Sequence, residues 1–501
     1  MDFFIKIPSL AAALQAIATL FLIANADAVA CEKPPIEVDV VVVGGGFSGL
    51  KSAYDLQQSG LSTVVLEAKA AIGGRSRSIH RQSGEGIIEL GATWINNHTQ
   101  PRVSALVDKF GLDTAVQYTT GESVFQGPDG EARRIPPGGL NFYRQAGNQE
   151  DAAIEIGLLT NVSEAAAAVN ITYWKDFPEE QDVTVTEWVS RLEYGNSSHA
   201  RGLTGHLTRA LVGREPHEIG IHYLLDYIES GLGLESLNSE DEGGAQYLKI
   251  KQGTTSIATH LAKAMSPDSV LVNTPVKAIK QSNGSSIVTA QTGQVFKAKK
   301  VIIAIPTNTY RDIKFSPPLP KKKDILVSNT KPGIYGKMIL SYSEPWWRDA
   351  GLVGKFTSVS GPVCFSWDTS DLALSQYSLA VFIAGDIATR WHALSDAERK
   401  SSIITHLESL VGEDLAGKAR DVLEINYAEW TKEEFLWGAP TSAMGPGMLR
   451  KYGDALREPY GNLYFGGGET AYEWKGYLEG AIRAGERAAA EVIAALGKED
   501  K

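Results

Sequence analysis

The chain has 501 residues, of which 43% are hydrophobic and 21% charged, and a formal net charge of −11. That is the composition of an ordinary folded protein too long for one simple core, so about two domains are expected. The acidic balance disfavours nucleic acid and anionic membranes as partners, and two cysteines, Cys31 and Cys364, are too few for a disulfide framework.

Residues 1–30 stand apart. Lys6 precedes an apolar stretch from Leu10 to Ile23, and Ala-Asp-Ala-Val-Ala then ends at Ala30. This reads as a secretory signal peptide cleaved before Cys31 or two to four residues earlier, leaving no membrane anchor. Its removal takes away Asp2, Lys6 and Asp27, net −1, so the mature chain carries −10. Asn97, Asn161, Asn170, Asn196 and Asn283 each open an N-x-[ST] sequon, in keeping with a secreted glycoprotein. No metal-ligand cluster is visible, and Cys364, within PVCFSW, reads as a core residue.

The stretch Val38 to Ser76 organises the rest. A β-branched run, Val40 to Val43, reads as a buried parallel strand and runs into Gly44-Gly45-Gly46-Phe47-Ser48-Gly49. A helix pattern follows up to Gly60, then a second strand, Thr63 to Leu66, leads to Glu67. This is the order of a dinucleotide-binding fingerprint. Gly44 permits the tight turn, Gly46 lets backbone approach a pyrophosphate on the helix N-terminus, and Gly49 lets helix and strand pack closely. Glu67 can accept from ribose hydroxyls. Gly73-Gly74-Arg75 places an arginine where it can pair with a phosphate.

Beyond it, Gly86 to Trp94 reads as a strand entering a backbone-close loop, and 103–111 as a helix. From about 116 to 250 the periodicity is helical, with Pro216 opening the last helix. Val270 to Pro306 reads as strands, Pro317 to Pro320 as a crossing between domains, and Tyr335 to Gly385 again as strands. Trp391 to Val411 is helical, Tyr427 to Gly447 loop-rich, and Leu463 to Gly468 a strand entering a glycine turn. A final helix begins near Lys475 to Tyr477, and its N-terminus offers N–H donors and positive potential to a ligand.

With these blocks assembled, the chain resembles the flavin monoamine oxidases. The resemblance is carried by the glycine fingerprint with Glu67 and Gly73-Gly74-Arg75, by ELGATW from Glu89, EPHE from Glu215, Pro275-Val276, AIP from Ala304, Gly333 to Lys337 with EPWWR from Glu344, Trp430, and GGETAYEWKGYLEGA from Gly467. It implies an α/β, two-domain flavin amine oxidase fold. A Rossmann-type FAD-binding domain would comprise 36–115, 250–325 and 430–497, and a mixed sheet-and-helix substrate domain 116–249 and 326–429.

The resemblance also implies roles. Ser48 and Arg75 would hold the pyrophosphate and Glu67 the ribose, with Lys69 at the adenosine end and Val276 at the adenine, and Gly44, Gly46, Phe47, Gly49, Ala68 and Gly74 would also bind the cofactor. Gly91, Ala92, Thr93, Trp94, Gly468, Glu469 and Leu478 would line the ribityl and ring. Lys337 matches the family's lysine near the flavin, Trp430 would pack near the ring, and Tyr477 would form one wall of an aromatic cage. Gln246 and Pro440 would complete the substrate pocket. Pro440 stands where a second cage tyrosine is expected, so the cage is half built, or Trp437 or Trp474 completes it from a shifted place. Ala439 occupies the position of the cysteine that tethers FAD in some members, which implies non-covalent FAD, as in the fungal secreted branch.

The expected reaction is oxidative deamination of a primary amine by FAD and O2, giving aldehyde or ketone, ammonia and hydrogen peroxide. The alternatives are a polyamine oxidase, an L-amino acid oxidase using Arg209 or Arg214 for the carboxylate, an oxidase of long-chain amino-alcohol toxins of the fumonisin type, or a secreted binding protein on the same fold. The expected partners are a small amine and O2; a homodimer is left open.

Overall fold

A computed structural model describes residues 34–137 and 149–499. The N-terminal segment read as a signal peptide and Cys31 lie outside the described residues. Two large sheets organise the chain. In the first, Ile36–Val43 lies parallel between Thr63–Leu66 and Val295–Ile303. The order continues outward through Val270–Leu271 on one side and through Ser285–Ala290, Val276–Ser282 and Lys314–Ser316 on the other. Leu463–Phe465 adds a parallel strand against Val301 to Ile303. Val40, Val41 and Val42 are wholly buried, as an unbroken β-branched run in a doubly covered sheet must be.

The helix Phe47–Gln58 covers this sheet and packs on the closing helix Leu478–Glu499, where the Ser52 hydroxyl donates to the Gly485 carbonyl at 3.1 Å. Gly49 makes that geometry possible. A Cβ there would lie 1.9 Å from the Gly44 carbonyl oxygen, a clash with backbone that cannot relax. Gly49→Ala is therefore expected to destabilise the protein by about 2–3 kcal/mol, seen as a lowered midpoint in a thermal melt; an unchanged midpoint would contradict the packing.

The second sheet runs Glu424–Glu429, Tyr335–Tyr342, Tyr377–Ala384, Phe365–Asp368, Leu352–Ser358, Glu122–Gln126 and Ala132–Ile135. Tyr335–Tyr342 is the second strand from one edge, buried on both faces and antiparallel to both neighbours, with Lys337 opposite Phe382 on one side and Ala428 on the other. Helices Gln149–Ala167, Ser198–Val212 and Ile221–Ser230 share a separate apolar core. Among the described residues no helix is long and apolar enough to cross a membrane, and no group of three or more His, Cys, Asp and Glu could hold a metal ion.

Several elements differ from expectation. Within 116–250, Glu122–Gln126 and Ala132–Ile135 are strands, not helix. They join the second sheet by pairing with a segment far along the chain, Val124 opposite Phe356, and such non-local pairing leaves no local period to read. The helix expected to open at Pro216 starts at Ile221 after Gly220, so Pro216 lies before it, and a short helix, Leu234–Asn238, follows. The stretch from Trp391 is two helices, Gly385–His392 and Asp396–Val411, interrupted by a capping box at Ser395. The final helix begins at Leu478, because Trp474 and Gly476 hold left-handed backbone at φ 57° and 81°.

Candidate functional site

One cavity of about 340 Å³ runs from the glycine fingerprint to the second sheet. At its first end Gly44 takes φ +104°, and a Cβ there would meet Ile305 at 2.7 Å. Gly46 ends the turn as the N-cap of Phe47–Gln58 and makes a parallel bridge to Gly73. No side chain caps this helix, so its N-terminal donors face the cavity wall formed by Gly46, Phe47 and Ser48. The Ser48 hydroxyl donates to the Gly466 carbonyl. Glu67 accepts from the Gly45 amide at 2.6 Å and the Lys69 amide at 2.8 Å. Burial pushes its carboxyl upward against those two bonds. Ala68, Lys69, Gly74 and Val276 complete this end of the wall.

Midway, Arg75 lines the cavity and donates to the Pro440 carbonyl at 2.5 Å. It pairs with Glu469 at 2.8 Å. Glu469 was expected in the wall; it is instead set behind it, because the turn Gly468–Thr470 directs its carboxylate to Arg75. Its two oxygens are buried and accept no well-aligned hydrogen bond. Gly49 likewise lies behind the wall, packed on Gly44. Glu433 joins Lys69 and Arg77, and the Arg77 guanidinium leads in holding its carboxyl down at about 2.

Lys337 is 1% exposed. Its Nζ donates to the Gly91 carbonyl at 2.8 Å and the Thr93 hydroxyl at 2.6 Å. Burial lowers it to about 7, with the half-buried Glu89 carboxylate pulling the other way. Glu89 accepts from the Thr254 amide at 2.5 Å and the Ser78 hydroxyl at 2.9 Å, and Thr254 Oγ1 bonds the Ala92 carbonyl at 3.1 Å, which fixes the loop that receives Lys337. The Trp430 indole donates to the Leu90 carbonyl at 2.8 Å, so Trp430 leans on the same loop.

The far end is aromatic. Phe365 and Phe382 stack at 4.7 Å, and Trp367 meets Phe365 edge-on at 5.2 Å. Trp94 meets Trp367 at 5.2 Å and is held by a bond from its indole to Gln117 at 2.8 Å. Tyr335 and Tyr227 also line the cavity beside Tyr477. Burial raises all three phenols. The sequence reading missed Phe365, Trp367, Phe382, Tyr335 and Tyr227; the one legible signal was the alternation Phe365-Ser366-Trp367.

Gln246, Pro440, Ala439 and Leu478 stand in the wall. The Gln246 amide N–H donates to the Leu237 carbonyl at 3.1 Å while its oxygen is buried without a partner. Neither tryptophan expected to complete the cage reaches it. Trp437 is 42% exposed, and Trp474 is buried behind Tyr477 with its ring at 5.3 Å. Arg209 and Arg214 are spent on the carbonyls of Val359 and Pro332, at 3.0 and 2.8 Å, and do not line the cavity.

The residues present fit a dinucleotide: an uncapped helix N-terminus, a turn with no room for a Cβ, a buried carboxylate, and Glu469 with unbonded oxygens behind an arginine. Comparison with known proteins agrees. A family model described as flavin containing amine oxidoreductase matches residues 47–493. The flavin-containing amine oxidase B of Sus scrofa is 32% identical over 473 residues, 92% of this chain and 87% of that protein. Among solved structures, wild-type putrescine oxidase bound to putrescine superimposes with a TM-score of 0.84 at 27% identity, covering 92% of this chain and 100% of that one. Cyclohexylamine oxidase from Brevibacterium oxydans does so with 0.84 at 27%, covering 92% and 99%. The chain belongs to the family of flavin-containing amine oxidoreductases and is a flavin-dependent amine oxidase that acts by oxidative deamination.

Proposed function

We propose that the substrates are primary monoamines with an apolar body, and that the flavin is FAD held without a covalent bond. The carrying observation is the composition of the aromatic end. Of the described side chains that the second sheet and the helical layer contribute to the cavity, Lys337 alone is charged. The other charged lining groups, Glu67, Lys69, Arg75 and Asp312, belong to the segments of the first sheet. An amino acid would bury its carboxylate there without an arginine, and a diamine would bury a second ammonium without a carboxylate; both are expensive. An apolar monoamine meets Phe365, Trp367, Phe382 and Tyr477 and needs to shed only one proton.

When bound, the flavin supplies the two-electron redox chemistry that takes hydrogen from the amine's α-carbon and delivers it to O2, giving peroxide; water then releases ammonia from the imine. The chain's own residues do the rest. The fingerprint, Glu67 and Arg75 hold the nucleotide. The aromatic wall excludes water and favours the neutral amine over the ammonium. Lys337 Nζ, with two of its three substituent positions on Gly91 and Thr93, keeps the third for a proton or a lone pair.

Non-covalent binding is supported by Ala439 in the cavity wall. Cys364, the one cysteine among the described residues, is buried outside that wall, with its thiol pushed up to about 11 by burial. Acid precipitation should leave the yellow colour in the supernatant; colour in the pellet would contradict this. We also propose that the enzyme is secreted through its N-terminal apolar segment. Asn97, Asn170, Asn196 and Asn283 are exposed and open to glycosylation, whereas the Asn161 amide is bonded to Gly157 and Tyr194.

A peroxide-coupled screen tests the substrate class. Benzylamine and other primary monoamines should give the highest kcat/KM; a higher value for putrescine or for any L-amino acid would overturn the proposal.

A further inference from the structure

Asp226 and Lys475 form an ion pair with both side chains out of water, at 0% and 4% exposure. The Trp174 indole donates to the other Asp226 oxygen at 2.8 Å, so the carboxylate is fully engaged. A buried pair of this kind contributes little net stability, since apolar residues of similar volume do as well, but breaking it by losing one partner is harmful. Its place in the fold accounts for its presence. Asp226 immediately precedes Tyr227 in the helix Ile221–Ser230, and Lys475 lies two residues before Tyr477. Both tyrosines line the cavity, with ring centroids 6.5 Å apart.

The loop between is held against that helix at several points. Ser230 accepts from the Trp474 amide at 2.6 Å through its carbonyl and from the Lys475 amide at 3.3 Å through its hydroxyl. Trp474 has left-handed backbone at φ 57°, which a bulky side chain adopts only where its surroundings hold it. Gly476 lies so close to the Tyr227 hydroxyl that a Cβ there would be 2.6 Å from it.

We infer that Asp226 and Lys475 are positioning residues that set the gap between Tyr227 and Tyr477, and that Tyr227 is the second aromatic wall bounding the amine, in place of the Trp437 or Trp474 expected from sequence. This rests on the reading that the cavity takes an amine. The two phenols bond each other across the gap, and the ion pair ties together the helix and the loop that carry them. Loss of the tie lets the two rings separate without emptying the nucleotide end of the cavity.

The test uses the flavin-loaded protein and cumylamine, an amine with no hydrogen on its α-carbon, which binds without turnover. Calorimetric Kd and thermal midpoint are read together. Asp226→Leu and Lys475→Met alone should lower the midpoint. The double variant should recover it yet bind cumylamine about tenfold more weakly. Tyr227→Leu, which keeps the ion pair, should lose the same factor, and adding the double variant to it should lose no more. A double variant with restored midpoint and parental Kd would show a purely structural pair and overturn the inference. So would parental affinity in Tyr227→Leu, which decides the matter by itself if the double variant does not fold. If the unsubstituted protein keeps its flavin but binds neither cumylamine nor any substrate amine, the functional reading fails instead, and the inference with it.

Discussion

Arg75→Ala is expected to purify largely colourless, with flavin affinity reduced at least about 100-fold. Arg75 lines the middle of the cavity, donates to the Pro440 carbonyl and is the ion-pair partner of Glu469. Its loss removes a charge suited to a pyrophosphate and leaves the Glu469 carboxylate, 5% exposed, buried without a counter-charge. Such an uncompensated charge costs about 3–5 kcal/mol. Glu67→Ala should act alike by a different route, since Glu67 ties the Gly45 and Lys69 amides and so shapes the turn that receives the nucleotide. On the proposal that FAD is held without a covalent bond, with Ala439 at the wall, these contacts would have no covalent support. Absorbance of the purified variants measures the outcome, and normal flavin content in both would mean the site is misread.

Lys337→Met is expected to lower kcat/KM for oxygen about 100-fold while changing KM for the amine little. Reducing oxygen to peroxide gathers negative charge in a water-poor cavity, and Lys337 is the cation available at the aromatic end. The sign of the pH dependence follows from burial, which lowers this amine from 10.5 to about 7. Below about pH 7 Nζ is protonated and can stabilise that charge or give up a proton; as pH rises through 7 the contribution fades. The oxygen step should therefore slow across that range in the parent enzyme and be flat in Lys337→Met. The amine step should run the other way, rising with pH towards the substrate's own pKa as free amine becomes available. Oxygen-electrode kinetics separate the two, and an oxygen step that keeps its rate and its pH limb in Lys337→Met would remove Lys337 from this role.

What was legible in the sequence was local. Val40 to Glu67 encodes strand, turn, helix and strand in one contiguous stretch, and Gly49 answers a local steric demand, since a Cβ there would collide with Gly44, five positions away, whereas Gly44 is hemmed in by Ala304 and Ile305 from far along the chain. Lys337 could be singled out only because the motifs around it matched a family, for a lysine in a strand otherwise reads as surface. The aromatic end was not legible. Phe365, Trp367 and Phe382 come together because Tyr377–Ala384 pairs with Phe365–Asp368, and Tyr227 arrives from a separate helical core. Glu469, which the resemblance put at the ribityl and ring, sits in the turn Gly468–Thr470 with its carboxylate directed to Arg75, a pairing no local pattern shows.

The most direct test of the whole account is to mix the purified yellow protein with benzylamine in the absence of oxygen. The account predicts that the colour bleaches, that admitting air restores it, and that hydrogen peroxide appears in proportion to the amine consumed. A protein that keeps its colour with every primary monoamine tried, at pH values from neutral to alkaline, would contradict it.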